Sequence, residues 1–290
     1  MFKLSVITDE VSQDFSVVLR FLERHELDGV EIRSLWNMPP QRLLSRAGEI
    51  RSELGKRGLE VSAIASPFYK ADINNEKEVK EHLGILKSCI ELAKTLDTDI
   101  IRVFTFWRKG KWEDYVDRIV ELYEEPVDIA EDEGVTLAVE NEPSTFATNA
   151  KLVADFIRRI GSRHVRAVFD PGNDLADPLG EKPYPDGYEA LKPYIVHVHV
   201  KDGRRAGREE AEWLPVGEGE VDYRGLIKAL VMEGYKGYLS LETHWRPKRR
   251  LERRLEQMPG GEAFSSLGEE ASDVSIRGLK KIIADVLGLD

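Results

Sequence analysis

Four side chains able to hold a metal ion stand at the same place in their local pattern, directly at the end of a short apolar run. Residues 135–139 lead into Glu140, residues 165–169 into Asp170 and residues 238–241 into Glu242. A fourth run, from Tyr194 to Val200, carries His197 and His199 and passes into Lys201 and Asp202. Runs of this kind read as buried strands, and polar groups buried at a strand tip without partners are costly. Two glutamates, one aspartate and one imidazole form a set of three oxygen ligands and one nitrogen ligand. That set suits Mn²⁺, Co²⁺, Mg²⁺ or Zn²⁺, with one or two positions open to substrate oxygens. One carboxylate at a strand end serves equally well as a helix cap or an ion-pair partner. The recurrence on successive strands favours a shared cation.

Strand periodicity puts His197, His199 and Lys201 on one side. The residue nearer the tip reaches the ion, so His199 is the expected ligand and His197 a buried, hydrogen-bonded histidine. Lys201, one step further out, either holds a substrate oxygen or pairs with a ligand carboxylate.

The elements that must position these groups alternate regularly. Strand-like segments at 3–8, 29–33, 59–65, 99–104, 135–140, 165–170, 194–200 and 238–242 are separated by helical patterns. The helices are expected at 14–26, 39–57, 76–96, 113–133, 149–160 and 222–233, a short helix precedes Pro193, and a last helix spans 269–287. Pro126 is expected to kink or break the fourth helix. Residues 203–221 read as a long polar loop, and 246–268 as a charged excursion with a helical piece near 249–257. Eight alternating units imply a parallel sheet with right-handed crossovers and fit one closed (β/α)₈ barrel over residues 1–290. A barrel brings all strand tips to one mouth, whereas an open doubly wound sheet does not. No glycine-rich phosphate loop follows the first strand, which argues against dinucleotide binding.

The chain has 42 basic and 53 acidic residues and a net charge of -11. That balance disfavours a nucleic-acid groove. The lone cysteine, Cys89, excludes an internal disulfide and reads as a packed hydrophobe in a reducing compartment. No apolar run has membrane-spanning length. A soluble cytoplasmic protein acting on a small molecule is expected, with no membrane or nucleic-acid partner.

The motifs resemble those of the xylose-isomerase-like sugar phosphate isomerase/epimerase superfamily. The residues concerned are Glu140 in VENEP, Asp170 in FDPGN, His199 in HVHVKD and Glu242 in LSLETH, with support from residues 8–10, 30–33, 216–222 and 234–238. The resemblance implies a TIM barrel in which Glu140, Asp170, His199 and Glu242 bind a divalent ion. It implies proton removal and return by Glu140 and Glu242 on a ketose-like substrate, through a metal-stabilised enediolate. It also makes homodimers or homotetramers plausible. Asn173 stands where many epimerases of the family carry histidine, and an amide does not shuttle protons. Asn173, Glu142, Arg102, Lys201 and His244 are candidate substrate contacts, with Trp245 near the mouth. Arg33 is expected to pair with Glu31, and Trp107-Arg108-Lys109 to be solvated surface. The alternatives are a metal-dependent dehydratase of inosose or dehydroshikimate type, an endonuclease IV-like repair enzyme, and an inactive barrel. The repair enzyme is disfavoured because His25, His82 and His164 lie in helical or turn contexts away from the mouth.

Overall fold

The computed structural model describes residues 1–289. Eight parallel strands close a barrel: β1 (Lys3–Ile7), β2 (Gly29–Ile32), β3 (Glu60–Ile64), β4 (Ile100–Val103), β5 (Thr136–Glu140), β6 (Val165–Phe169), β7 (Ile195–Val200) and, after a hairpin, β10 (Tyr238–Leu241). Neighbours follow chain order, and β10 pairs with β7 on one side and β1 on the other. The strands are almost wholly buried, as expected of a parallel sheet covered on its outer face by helices.

Local chemistry explains where the helices begin and end. Side chains of Asp14, Asn75, Asn149 and Asp222 accept backbone N–H groups at the starts of four helices, satisfying donors that have no partner within the helix. Gly134 and Gly161 terminate two helices in the left-handed conformation, which glycine adopts without steric cost. The expected break near Pro126 is real, and it falls at Tyr123, between helices Trp112–Leu122 and Glu124–Glu133. The proline ring would clash with the carbonyl four residues earlier, at Leu122.

Three segments differ from the sequence reading. The expected helix at 39–57 is two 3₁₀ turns, Pro40–Arg42 and Leu44–Arg46, before a regular helix over Ala47–Gly55. The expected loop at 203–221 contains an antiparallel hairpin, β8 (Asp202–Arg205) and β9 (Ala211–Leu214). Its strands have only four residues each, DGRR and AEWL, too few for a period to show. Both Asp202 carboxylate oxygens gather the 203–221 backbone, accepting N–H groups of Gly203, Gly217, Gly219 and Val221 at 2.8–3.3 Å. In the excursion, helices Arg253–Gln257 and Gly261–Ser265 precede the closing helix Gly268–Leu287.

The excursion lies across the mouth end of the barrel. Lys70 donates to the Gln257 carbonyl (2.6 Å), Trp213 to Glu256 (3.0 Å), and the Glu262 N–H to Asn37 (2.8 Å). No helix among the described residues is long and apolar enough to cross a membrane. Cys89 is buried in the core, and burial pushes its thiol up to about 12.

Gly172, just after β6, sits so close to β7 that an added Cβ would overlap the Lys201 carbonyl oxygen and come within 2.8 Å of the Lys201 Cβ. Gly172→Ala is expected to destabilise the fold by about 1–3 kcal/mol, the usual cost of overpacking. Thermal unfolding checks this. An unchanged midpoint would show that the β6 and β7 tips are not locked together.

Candidate metal centre and active site

The barrel delivers its functional groups from strand tips. Glu140 closes β5, Asp170 follows β6, His199 lies in β7 and Glu242 follows β10. Each offers a ligand atom, and these atoms all lie within 4.8 Å of one another in a buried cluster. Metal–ligand bonds of about 2.1 Å place opposite ligands about 4.2 Å apart, so small side-chain adjustments suffice to hold one ion. His199 Nδ1 lies 3.2 Å from Glu140, 3.4 Å from Glu242 and 3.9 Å from Asp170.

The other ring nitrogen has a different task. His199 Nε2 meets Glu31 at 3.1 Å, and Glu31 also meets His197 Nε2 at 2.9 Å. With Nε2–H donated to Glu31, the neutral tautomer turns a free Nδ1 lone pair toward the three carboxylates. A carboxylate on the far side of a ligating imidazole fixes its tautomer and orientation. Asp170 Oδ2 has no well-aligned hydrogen-bond donor, although Lys201 Nζ is 2.7 Å away. An electron pair left over at the centre of such a cluster suits a cation. The donor set therefore fits a divalent ion.

The electrostatics show how crowded the charges are. Burial opposes ionisation of Glu140, but His199 and Arg102 outweigh it and hold the carboxyl down at about 2. Burial likewise opposes ionisation of Glu242, yet Lys201 and His244 keep it well below the usual carboxylate range. Asp170 is pushed up to about 7 by burial, against Lys201, with Glu242 and Glu140 adding to the rise. Burial disfavours charge on His199, and Glu31 and Glu140 reverse this, holding its pKa well above the ordinary value. Without an ion, an imidazolium partly neutralises the carboxylates in its place.

Two further groupings, Glu31–His197–His199 and Glu10–Glu242–His244, are also compact enough for an ion. Both are less apt. Glu31 is shared between two imidazoles, and Arg33 already places its guanidinium between Glu10 (2.9 Å) and Glu242.

The candidate substrate contacts divide. Lys201 pairs with Asp170 and, at 3.0 Å, with Glu242, which is the carboxylate-pairing alternative of the sequence reading. Asn173 donates to Glu140 (3.1 Å) and to the Asn141 carbonyl (2.8 Å). Arg102 Nη1 lies 3.4 Å from Glu140. Glu142 pairs with Lys70 at 3.0 Å and accepts from Ser144. Both ring nitrogens of buried His244 lack a hydrogen-bond partner, and Nε2 is 3.4 Å from Glu242. Asn173, Glu142 and His244 line a mouth cavity of about 330 Å³ together with Trp107 and Trp213. Trp107 and Arg108 are thus cavity wall rather than free surface. Trp245 lines an adjoining recess.

The expected Arg33–Glu31 pair does not form. Arg33 binds Asp9, Glu10 and Glu242, while Glu31 faces the histidines. Alternation within a strand would put residues two apart on one side, but Arg33 lies beyond the end of β2 at Ile32, and its guanidinium is drawn to Asp9, Glu10 and Glu242. Asp9, Glu10, Glu31, Arg33 and Lys70 are the groups whose part at this mouth sequence reasoning missed. Their signal was present as charges just after the first strand, in the second and after the third. His25, His82 and His164 bond to Asp273, the Tyr69 N–H and the Val135 carbonyl, none of them ligands of the cluster.

A family model for the xylose isomerase-like TIM barrel matches residues 19–263. The chain belongs to this family. Among its relatives, an uncharacterised protein of Methanocaldococcus jannaschii is 27% identical over 193 residues, covering 62% of this chain and 63% of the relative. The chain thus spans less than two thirds of that relative's length. An inosose dehydratase of Serratia proteamaculans is 24% identical over 226 residues, covering 68% of this chain and 74% of the enzyme. Among solved structures, a xylose isomerase domain protein from Planctomyces limnophilus superposes with a TM-score of 0.73 at 14% identity, over 99% of this chain and 98% of the other. An L-ribulose 3-epimerase gives 0.67 at 18%, over 100% and 98%. An IolI protein with a bound zinc atom gives 0.69 at 21%, over 99% and 98%. At these identities the structural likenesses show the xylose isomerase-like fold, and the enzymes named include both epimerases and dehydratases.

Because Glu31 holds His199 by its far nitrogen, Glu31→Gln is expected to weaken binding of Mn²⁺ or Zn²⁺ about 10–100-fold, as measured by calorimetric titration. Unchanged affinity would show that the ring needs no such support, or that no ion binds at Nδ1.

Proposed function

We propose that this protein is a divalent-metal-dependent isomerase or epimerase of a small sugar or ketose-like polyol. Glu140, Asp170, His199 and Glu242 would hold the ion, and their ligand chemistry suits Mn²⁺, Co²⁺, Mg²⁺ or Zn²⁺. The observation that carries the reading is the convergence of Glu140 and Glu242 on one nitrogen of His199, Nδ1, from strands separated in the barrel wall by β6 and β7.

A bound divalent ion supplies Lewis acidity to a carbonyl and an adjacent hydroxyl, making the neighbouring C–H more acidic. The protein's own groups do the rest. Both glutamates are held ionised at neutral pH, so either can accept a proton from carbon. One removes it from one side of the substrate and the other returns it from the opposite side. Arg102 and Asn173 hold Glu140, while Arg33 and Lys201 hold Glu242. Fixing both carboxylates in this way limits the reorganisation needed at reaction. Lys201 also carries an ammonium that can donate to a substrate oxygen. Trp107, Trp213 and the 253–257 helix wall the cavity and restrict water. The cavity suits a small carbohydrate, and the acidic chain does not suit nucleic acid.

A second reading is favoured by the inosose dehydratase relative and by Asn173, which cannot relay a proton. In a dehydratase the same proton removal is followed by loss of a β-hydroxyl as water, giving an unsaturated ketone. Ultraviolet absorbance of that product separates the two outcomes.

The test is exchange of substrate C–H with deuterated solvent across a panel of ketoses, followed by NMR. Exchange is expected only with a divalent ion present, Mn²⁺ and Co²⁺ being the first to try. It should vanish on chelation and return on adding the metal back. Glu140→Gln and Glu242→Gln are each expected to slow exchange about 10²–10⁴-fold, the usual contribution of a positioned general base. Exchange that survives either change, or none with any substrate, would sink the proposal.

A further inference from the structure

The paired register of β5 and β6 ends at Glu140 opposite Val168. The two candidate ligands from these strands, Glu140 and Asp170, therefore stand where the main chains part. Asn141 bridges the gap. It is wholly buried, and as the residue after Glu140 it turns to the other face of the sheet, behind the ligand cluster. Its side-chain amide takes both backbone groups of Asp170. Oδ1 accepts the Asp170 N–H at 2.9 Å, and Nδ2 donates to the Asp170 carbonyl at 2.7 Å. The second Nδ2 hydrogen goes to Asp174 Oδ1 at 2.9 Å. The amide thus stands in for a peptide unit and carries the ladder one step beyond the strands. A carboxylate in its place would only accept, and an apolar side chain would do neither.

Asn173 completes the link from the other side. Its Nδ2 donates to the Asn141 carbonyl (2.8 Å) and to Glu140 Oε1 (3.1 Å), and its backbone N–H donates to Asp170 Oδ1 (3.1 Å). Asp170 Oδ1 is therefore occupied, while Oδ2, with no aligned donor, is the oxygen left over for a cation. Two amides, one after each strand tip, fix the separation of Glu140 and Asp170 and select the free oxygen of Asp170.

We propose that Asn141 is a positioning residue for the divalent ion: by holding Asp170 at a set distance from Glu140, it determines how tightly and in what geometry the site binds its cation. The inference rests on the metal-dependent reading above and deepens it by naming a residue outside the ligand set. Outer partners of this kind orient the ligands, and their loss weakens metal binding about 10–100-fold.

Calorimetric titration of the full chain with Mn²⁺, together with the electron paramagnetic resonance spectrum of the bound ion, tests it. Asn141→Leu keeps the shape and loses every side-chain hydrogen bond. Asn141→Ala leaves room for water to take up the freed groups and serves if Asn141→Leu does not fold. Each is expected to bind Mn²⁺ about 10–100-fold more weakly and to change the fine structure of the spectrum. Thr148→Val is the control. Thr148 donates to Asp177 at 2.6 Å, so this change loosens the segment after β6 without touching Asp170. It should lower the unfolding midpoint yet leave Mn²⁺ affinity and spectrum as in the native chain. Native affinity and spectrum in the Asn141 variants, or an equal loss in Thr148→Val, overturns the inference and leaves the metal-dependent reading standing. The native chain gives a reading that needs no variant. By NMR the Asn141 side-chain NH₂ protons should exchange with solvent slowly, and exchange as fast as that of exposed Asn74 also overturns it. A native chain that binds neither Mn²⁺ nor Zn²⁺ defeats the metal-dependent reading itself, and this inference with it.

Discussion

The constraint on which this mouth depends is the burial of carboxylates. Asp9, Glu10, Glu31, Glu140, Asp170 and Glu242 are each nearly or wholly removed from water, and an ion in such surroundings costs several kcal/mol unless it is matched. Most are matched by protein cations. Arg33 binds Asp9, Glu10 and Glu242, Arg246 binds Glu10, and the two histidines of β7 close on Glu31. Glu140, Asp170 and Glu242 around His199 Nδ1 remain in negative excess even with Lys201 and Arg102 beside them. That residual imbalance, where four potential ligand atoms converge, is what makes the cluster a candidate cation site.

The barrel solves a positioning problem that no local element can solve. Groups more than a hundred residues apart in the chain share a cavity because parallel strands end at one rim. The rim is then locked laterally. Gly172 lets β6 lie against Lys201, Asp202 gathers the loop that follows, and Arg33 spans from β2 to Glu242 beyond β10. The 246–268 excursion covers the opening from above, and its Glu256 and Gln257 face the mouth cavity.

Epimerisation and dehydration begin with the same event, loss of a proton next to a carbonyl. That is why the candidate metal ligands alone do not distinguish the two readings. What separates them lies around the cluster: whether a group stands ready to return the proton from the other face, or to protonate a departing hydroxyl. Glu242 on the far wall supports the first. Asn173, which donates to Glu140 instead of relaying protons, leaves room for the second.

By itself the sequence determined the alternation of strands and helices, hence the closed barrel, because hydrophobic periodicity and capping are local. It also located Glu140, Asp170, His199 and Glu242, because each follows an apolar run and a parallel strand has only one mouth end. The break near Pro126 was legible for the same local reason. The hairpin over 202–214 was not, since its four-residue strands are too short to show a period and form only by pairing with each other. The partners of Arg33 were misjudged and those of Lys201 left undecided, because ion pairs form between residues adjacent in space, and spacing along the chain says nothing about which charges face each other across a barrel. The hold of Asn141 on Asp170 was likewise invisible beforehand. The two belong to different strand tips, 29 residues apart in the chain, and only the pairing of β5 with β6 sets that amide against that backbone.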